Sequence, residues 1–161
     1  MKIIHIITTL FLLLCLPQFL VAEDNNAERF QVIDNAYIAD SHTGLMWALK
    51  DNGKDIDWWE AKKYCEDFAA GGYTDWRLPD IKELATLYTD DSNEQVGYRM
   101  AGLIKITDCC IWSSYDVLGG ALSFSYKSGN RIPSSFAETY QLRALPVRGT
   151  SKVDLSEYKN F

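Results

Sequence analysis

Histidine is nearly missing from this 161-residue chain: there are two, and only His42 lies beyond the apolar N-terminal stretch. Nucleophilic triads need a base beside the nucleophile, so Ser113, Ser114 or Cys110 has scant histidine to serve it. Clusters of Lys and Arg are missing as well. The 16 basic residues are interspersed among 22 acidic ones, for a formal net charge of −6. Phosphate backbones and anionic membranes attract proteins through clustered cations, so nucleic-acid binding is disfavoured. No glycine-rich phosphate loop, internal repeat or low-complexity block is present. The adjacent Cys109 and Cys110 lack the intervening residues of zinc-binding pairs, so neither a metal nor another cofactor is expected.

The one long apolar run, residues 3–16, follows Lys2 and precedes Pro17 and Val21-Ala22. It reads as a secretory signal peptide over residues 1–22. Leu20, large for the third residue before the cut, keeps an uncleaved anchor as the alternative, although the run is short for a span and no stop-transfer charges follow. Leu14 sits where a small residue should precede a lipid-bearing Cys15, so lipidation is disfavoured. The expected product is exported, periplasmic or extracellular at the cell surface, with no membrane span after cleavage. Loss of Lys2 takes the net charge from −6 to −7. The roughly 139 residues left suit one domain, with a linker at 23–29, a folded region at 30–149 and a charged, mobile tail at 150–161.

The densest signal is in residues 57–89. Trp58, Ala61, Cys65 and Phe68 recur at helical spacing while Glu60, Lys62, Lys63, Glu66 and Asp67 stay in water, which predicts an amphipathic helix capped by Asp57 and ended by Gly71-Gly72. Asp80 and Glu83 form a capping-box pattern for a second helix whose apolar face is Ile81, Leu84, Leu87 and Tyr88. Pro79 forces Leu78 toward an extended conformation, so Trp76-Arg77-Leu78 reads as a short strand. Two strands broken at Asp34-Asn35 and a third at Leu45-Met46-Trp47 precede the helices. Residues 111–115, 121–126 and 142–147 read as strands after them, residues 90–99 as a polar loop, and residues 101–106 as a short helix or strand. The order describes an α+β domain with two helices and a mainly antiparallel sheet.

Three cysteines, Cys65, Cys109 and Cys110, follow the signal segment. In an oxidising compartment an odd count implies one disulfide and one leftover thiol. Cys65 paired with Cys109 or Cys110 would staple the first helix to the strand around Trp112 and add ~2 to 4 kcal/mol. A reactive pair at 109 and 110 is the competing reading.

The ordered motifs Asp40-Ser41-His42-Thr43-Gly44-Leu45-Met46-Trp47, Trp58 with Ala61 and Tyr64-Cys65, GYTDWRLP with Glu83-Leu84, Trp112-Ser113-Ser114 and Pro146-Val147-Arg148 resemble the C-terminal domain of the Legionella collagen-like adhesin, over residues 30–149. The resemblance implies a compact extracytoplasmic domain of C-type lectin-like fold. That adhesin's domain is associated with sulfated glycosaminoglycans and trimers. Neither property transfers, because this chain has no collagen-like repeat and its net charge has the wrong sign for a sulfated polymer. Neither the Glu-Pro-Asn nor the Trp-Asn-Asp triplet of calcium-dependent sugar binding is present, and the vicinal cysteines do not reproduce the spaced pair of formylglycine-generating enzymes.

Two functions follow. The favoured one is a non-enzymatic binding module of the bacterial envelope, whose partner is an envelope protein or a glycan. Its candidate ligand residues are Arg77 and Arg143 as anion clamps and Tyr73 and Trp59 as stacking platforms. The bland reading keeps Trp47, Trp58, Trp76 and Trp112 in a core and pairs Arg77, Arg143 and Arg148 with acids such as Asp75 and Glu83. The rival function is an unfamiliar enzyme using Cys109, Cys110 or acids such as Asp90-Asp91. Size and a short tail fit a monomer and leave oligomers open.

Overall fold

A computed structural model of the chain describes residues 29–93 and 98–159. The proposed signal segment and most of the linker lie outside the described residues. Strands β1 (Phe30–Ile33), β2 (Tyr37–Asp40) and β3 (Met46–Ala48) are followed by helices α1 (Trp58–Glu66) and α2 (Ile81–Ala85). Then come β4 (Tyr88–Asn93), β5 (Tyr98–Met100), β6 (Cys110–Val117), β7 (Gly120–Ser125), β8 (Arg131–Ser135), β9 (Leu142–Arg143) and β10 (Val147–Arg148). The first sheet is antiparallel in the order β1-β2-β3-β10; the second runs β8-β7-β6-β9, with only β6 and β9 parallel. Two helices with mainly antiparallel strands make this an α+β fold, as the sequence pattern predicts.

The helix starts are where the local chemistry puts them. Asp57 Oδ1 accepts the N–H of Glu60 at 2.8 Å. At α2, Asp80 Oδ1 accepts the N–H of Lys82 and Glu83 Oε2 accepts the N–H of Asp80, both at 2.8 Å, closing the capping box. The end of α1 differs from expectation. It stops at Glu66 with Asp67 still in right-handed geometry, and the glycines form a separate turn, Ala70–Gly72. Gly71 is required there twice over: its φ is +67°, and a Cβ would stand 2.7 Å from the Tyr37 ring.

Three other segments depart from the sequence expectation. Residues 90–93 and 98–99 belong to the antiparallel strands β4 and β5 instead of a loop, and the Asp90 and Asp91 side chains lie outside the described residues. The predicted strand at 142–147 is two short ones, because the chain leaves the second sheet after Arg143 and joins the first at Val147. β8 carries no alternating pattern; it exists because β7 offers it a free edge, and an edge is where Pro133 is tolerated. Within the expected tail, residues 150–159 contact the domain: Lys152 N–H donates to Thr43 O at 2.8 Å, Arg131 donates to Tyr158 O, and Tyr158 packs against the core.

Two apolar clusters fill the interior. One joins the first sheet to α2 and β7 through Trp47, Leu84, Ile111 and Phe124; the other joins α1 to β6 through Trp58, Ala61, Cys65 and Trp112. The buried tryptophans mostly satisfy their indole N–H: Trp112 donates to Ile56 O at 2.9 Å, Trp58 to Ser113 O at 2.8 Å and Trp76 to Ala70 O at 3.2 Å. The Trp47 indole N–H is buried with no hydrogen-bond partner.

Candidate functional site

The sequence motifs interlock. Asp40 gathers Arg29 at 2.8 and 2.7 Å, the Thr43 hydroxyl at 2.8 Å and the His42 N–H at 3.0 Å, so the Asp-Ser-His-Thr turn is a structural hub. Burial alone would push its carboxyl up, but the Arg29 and Thr43 hydrogen bonds win and hold it below the usual carboxylate range. GYTDWRLP meets Pro146-Val147-Arg148 twice. Arg77 and Val147 exchange both backbone hydrogen bonds, at 2.8 and 3.0 Å, and Arg148 grips Asp75 at 2.7 and 3.1 Å.

Each proposed ligand residue can now be placed. Arg77 donates from its two terminal nitrogens to Glu83, at 2.8 and 2.7 Å, and to Gly149 O at 2.8 Å. The Glu83 hydrogen bond outweighs the effect of burial and, with the charges of Glu83, Asp80 and Asp75, raises its pKa further and keeps it charged. Arg143 is closed in: Asp55, Asp108 and the Thr107 hydroxyl take its guanidinium, and Asp51 in turn accepts the Thr107 hydroxyl at 3.0 Å and the Thr107 N–H at 2.6 Å. Its donors are spoken for within the fold. Tyr73 carries the Arg148 guanidinium 3.6 Å from its ring centroid, so one of its faces is covered. Trp59 is 60% exposed and leans on Phe136, with ring centroids 5.2 Å apart. The four residues do not converge on one site.

Arg77 alone borders a cleft, about 340 Å³ in volume. Trp58, Lys62 and Glu66, one helical turn apart on α1, form one wall; Arg77 and Leu78 form another; Ser114 and Asp116 of β6 complete it. The β6 wall is irregular, since its register with β7 shifts between Trp112 and Asp116. Bulges of this kind re-aim side chains beside sites. Lys62 Nζ sits 5.8 Å from the Trp58 ring centroid. Among the described residues no ion pair engages Lys62, Glu66 or Asp116, so the cleft presents both signs of charge to solvent. Lys62 and Glu66 read as part of a solvated helix face in the sequence. The one available signal was their spacing: Trp58, Lys62 and Glu66 fall at i, i+4 and i+8 of a single helix.

The cysteine expectation is corrected. Cys109 and Cys110 are bonded to each other, and Cys65 is a buried thiol whose pKa is pushed up by that burial. Cys65 faces the α1–β6 cluster, where apolar packing serves it. The two are adjacent in sequence, so their pairing brings no distant segments of the chain together. Among the described residues no group of acids, histidines and cysteines is arranged to hold a metal, and no helix is long and apolar enough to cross a membrane.

The fold and its open, mixed-charge cleft define a small α+β domain built to present a surface. The chain belongs to the Lcl C-terminal domain family, whose model matches residues 36–148. That family is adhesin-associated and not a known enzyme family, which suggests an adhesin-like binding module. No curated protein matches the chain significantly.

Proposed function

We propose that this chain is an exported, non-enzymatic binding module of the bacterial envelope, with a C-type lectin-like scaffold, that engages an envelope protein or glycan. The observation that carries the reading is the state of the cysteines. The disulfide removes Cys109 and Cys110 as nucleophiles, and the remaining Cys65 thiol is sequestered. The rival enzyme reading thereby loses its best reactive group. What favours binding is the cleft between α1 and β6, where Lys62, Glu66 and Asp116 are held in place by rigid elements yet have no ion-pair partner among the described residues. A ligand with charged groups of both signs is the best complement to it.

The test combines pull-down from envelope extracts with a glycan array, using the wild type and Asp116→Lys. The expected result is a specific capture that the charge reversal weakens at least about tenfold, which is 1.4 kcal/mol. Silence in both formats overturns the reading, and capture indifferent to Asp116 removes this cleft from it. Export is checked separately: the N-terminus of protein recovered from the cell envelope should begin at Glu23, and an intact Met1 would refute cleavage.

A further inference from the structure

A second concavity, about 250 Å³, is chemically unlike the first. It lies on one face of the second sheet, since Ser123 and Ser125 of β7, and Ile132 and Ser134 of β8, alternate along their strands, and Cys110 stands directly across from Ser125. The loop ahead of β9 closes it with Glu138, Tyr140 and Gln141. No Lys or Arg lines it, so it has nothing to offer a phosphate or a sulfate.

Its polar groups are hydroxyls, one amide and one carboxylate. Ser123 Oγ donates to Ile132 O at 3.3 Å, and Glu138 Oε1 accepts the N–H groups of Thr139 and Tyr140, each at 3.0 Å. Among the described residues no hydrogen bond engages the side chains of Ser125, Ser134 or Gln141. Gln141 also holds a φ of +58°, in the left-handed region, and unlike Asp34 and Asn35 it does so outside a hairpin turn. The Leu142 N–H donates to Thr139 O at 3.1 Å, so Gln141 occupies the third position of a turn, where a positive φ is normal, and the turn holds its exposed amide at the rim of the concavity. Beside it Tyr140 is 72% exposed, an aromatic ring at the rim with a free face.

The bonded pair Cys109–Cys110 contributes soft sulfur surface that demands no hydrogen bond and cannot ionise. Sulfur and Leu142 on one side, and hydroxyls, an amide and a carboxylate around them, complement a ligand with an apolar face and hydroxylated edges. The volume falls just below the ~300 Å³ at which drug-sized sites begin, which suits a single ring. We propose that this concavity binds one pyranose unit of a neutral carbohydrate, its C–H face against the disulfide and its hydroxyls bonded to Ser125, Gln141 and Glu138. The proposal rests on the binding-module reading and names a ligand class for it at a different place from the mixed-charge cleft.

The test titrates isotope-labelled protein with glucose, galactose, mannose and N-acetylglucosamine, with glucuronate and glucose 6-sulfate as anionic counterparts, and follows backbone amide shifts by NMR. At least one neutral sugar should give saturable shifts centred on Cys110, Ser125 and Tyr140. Tyr140→Ala and Gln141→Gly should each weaken binding about tenfold, equivalent to 1.4 kcal/mol. Neither substitution touches the core, and glycine suits the Gln141 backbone. Three results overturn the proposal: no saturable shift with any neutral sugar, binding untouched by both variants, or anionic sugars binding as well as neutral ones. If the sugars are silent while Asp116-dependent capture persists, this inference alone falls and the binding module stands.

Discussion

Glu83 performs two tasks, and Glu83→Gln separates their energetic consequences from simple packing. Its carboxylate takes both terminal nitrogens of Arg77, at 2.8 and 2.7 Å, while Oε2 also closes the α2 capping box through the Asp80 N–H at 2.8 Å. Glutamine keeps the shape but replaces one acceptor with a donor. With the amide nitrogen in place of Oε1 an Arg77 N–H must face an NH2 group, and with it in place of Oε2 both an Arg77 N–H and the Asp80 N–H must. Truncating one partner of a buried pair costs ~3–5 kcal/mol. The Glu83 side chain is buried, but that of Arg77 is 38% exposed, so water screens part of that loss. Arg77 also keeps its bond to Gly149 O. The discounted expectation is a loss of ~2 kcal/mol, of which ~0.5–1 belongs to the cap. At this size that lowers Tm by roughly 6–10 °C. Urea unfolding followed by tryptophan fluorescence measures it, and a double-mutant cycle with Arg77→Met isolates the pair. A loss under ~0.5 kcal/mol with no coupling to Arg77 would refute the reasoning, because that lies within the range of a fully solvent-exposed pair.

Three further outcomes follow from the same contacts. Trp47→Phe removes an unpartnered buried indole N–H and should cost less than Trp112→Phe, which breaks the 2.9 Å bond to Ile56 O; by the ~1–3 kcal/mol typical of such groups, equal losses in matched denaturant curves would contradict the assignment. An unreduced tryptic digest should yield the peptide spanning residues 106–127 two hydrogens lighter than its dithiol, with Cys65 alkylated only after unfolding; Cys65 linked to either neighbour would overturn the pairing. Asp40 titrates below its unfolded value, so its contribution is full above the unfolded pKa near ~3.9 and is lost as pH falls through the lower folded pKa. Stability measured below about pH 4 should therefore fall less steeply in Asp40→Asn than in the wild type. An identical slope would remove Asp40 from the acid response.

The chain's local chemistry was legible in one dimension wherever a few neighbouring residues settle the outcome. Asp57 and the Asp80–Glu83 box announce their helices because capping is a contact across three residues. Asp34-Asn35 announces its turn because both residues tolerate positive φ, and they adopt +50° and +53°. Even the Glu83 and Asp75 partnerships of the arginines were within reach, since acids close to Arg77 in sequence are few. The motif order identified the family for the same reason, as each motif is a local structural device.

Tertiary structure alone decided the rest, because it turned on which distant groups come within a few ångströms. β8 is a strand only because β7 presents an unpaired edge, and residues 142–148 split between two sheets because each end found a different partner. Arg143 became a sequestered ion-pair centre instead of a clamp when Asp55 and Asp108 closed on it from elsewhere in the chain. Spacing could count the cysteines but not pair them. One candidate cleft exists only where α1, the Arg77 segment and β6 meet, the other only where the second sheet meets the loop ahead of β9, and concavity has no signature in a linear pattern of residues.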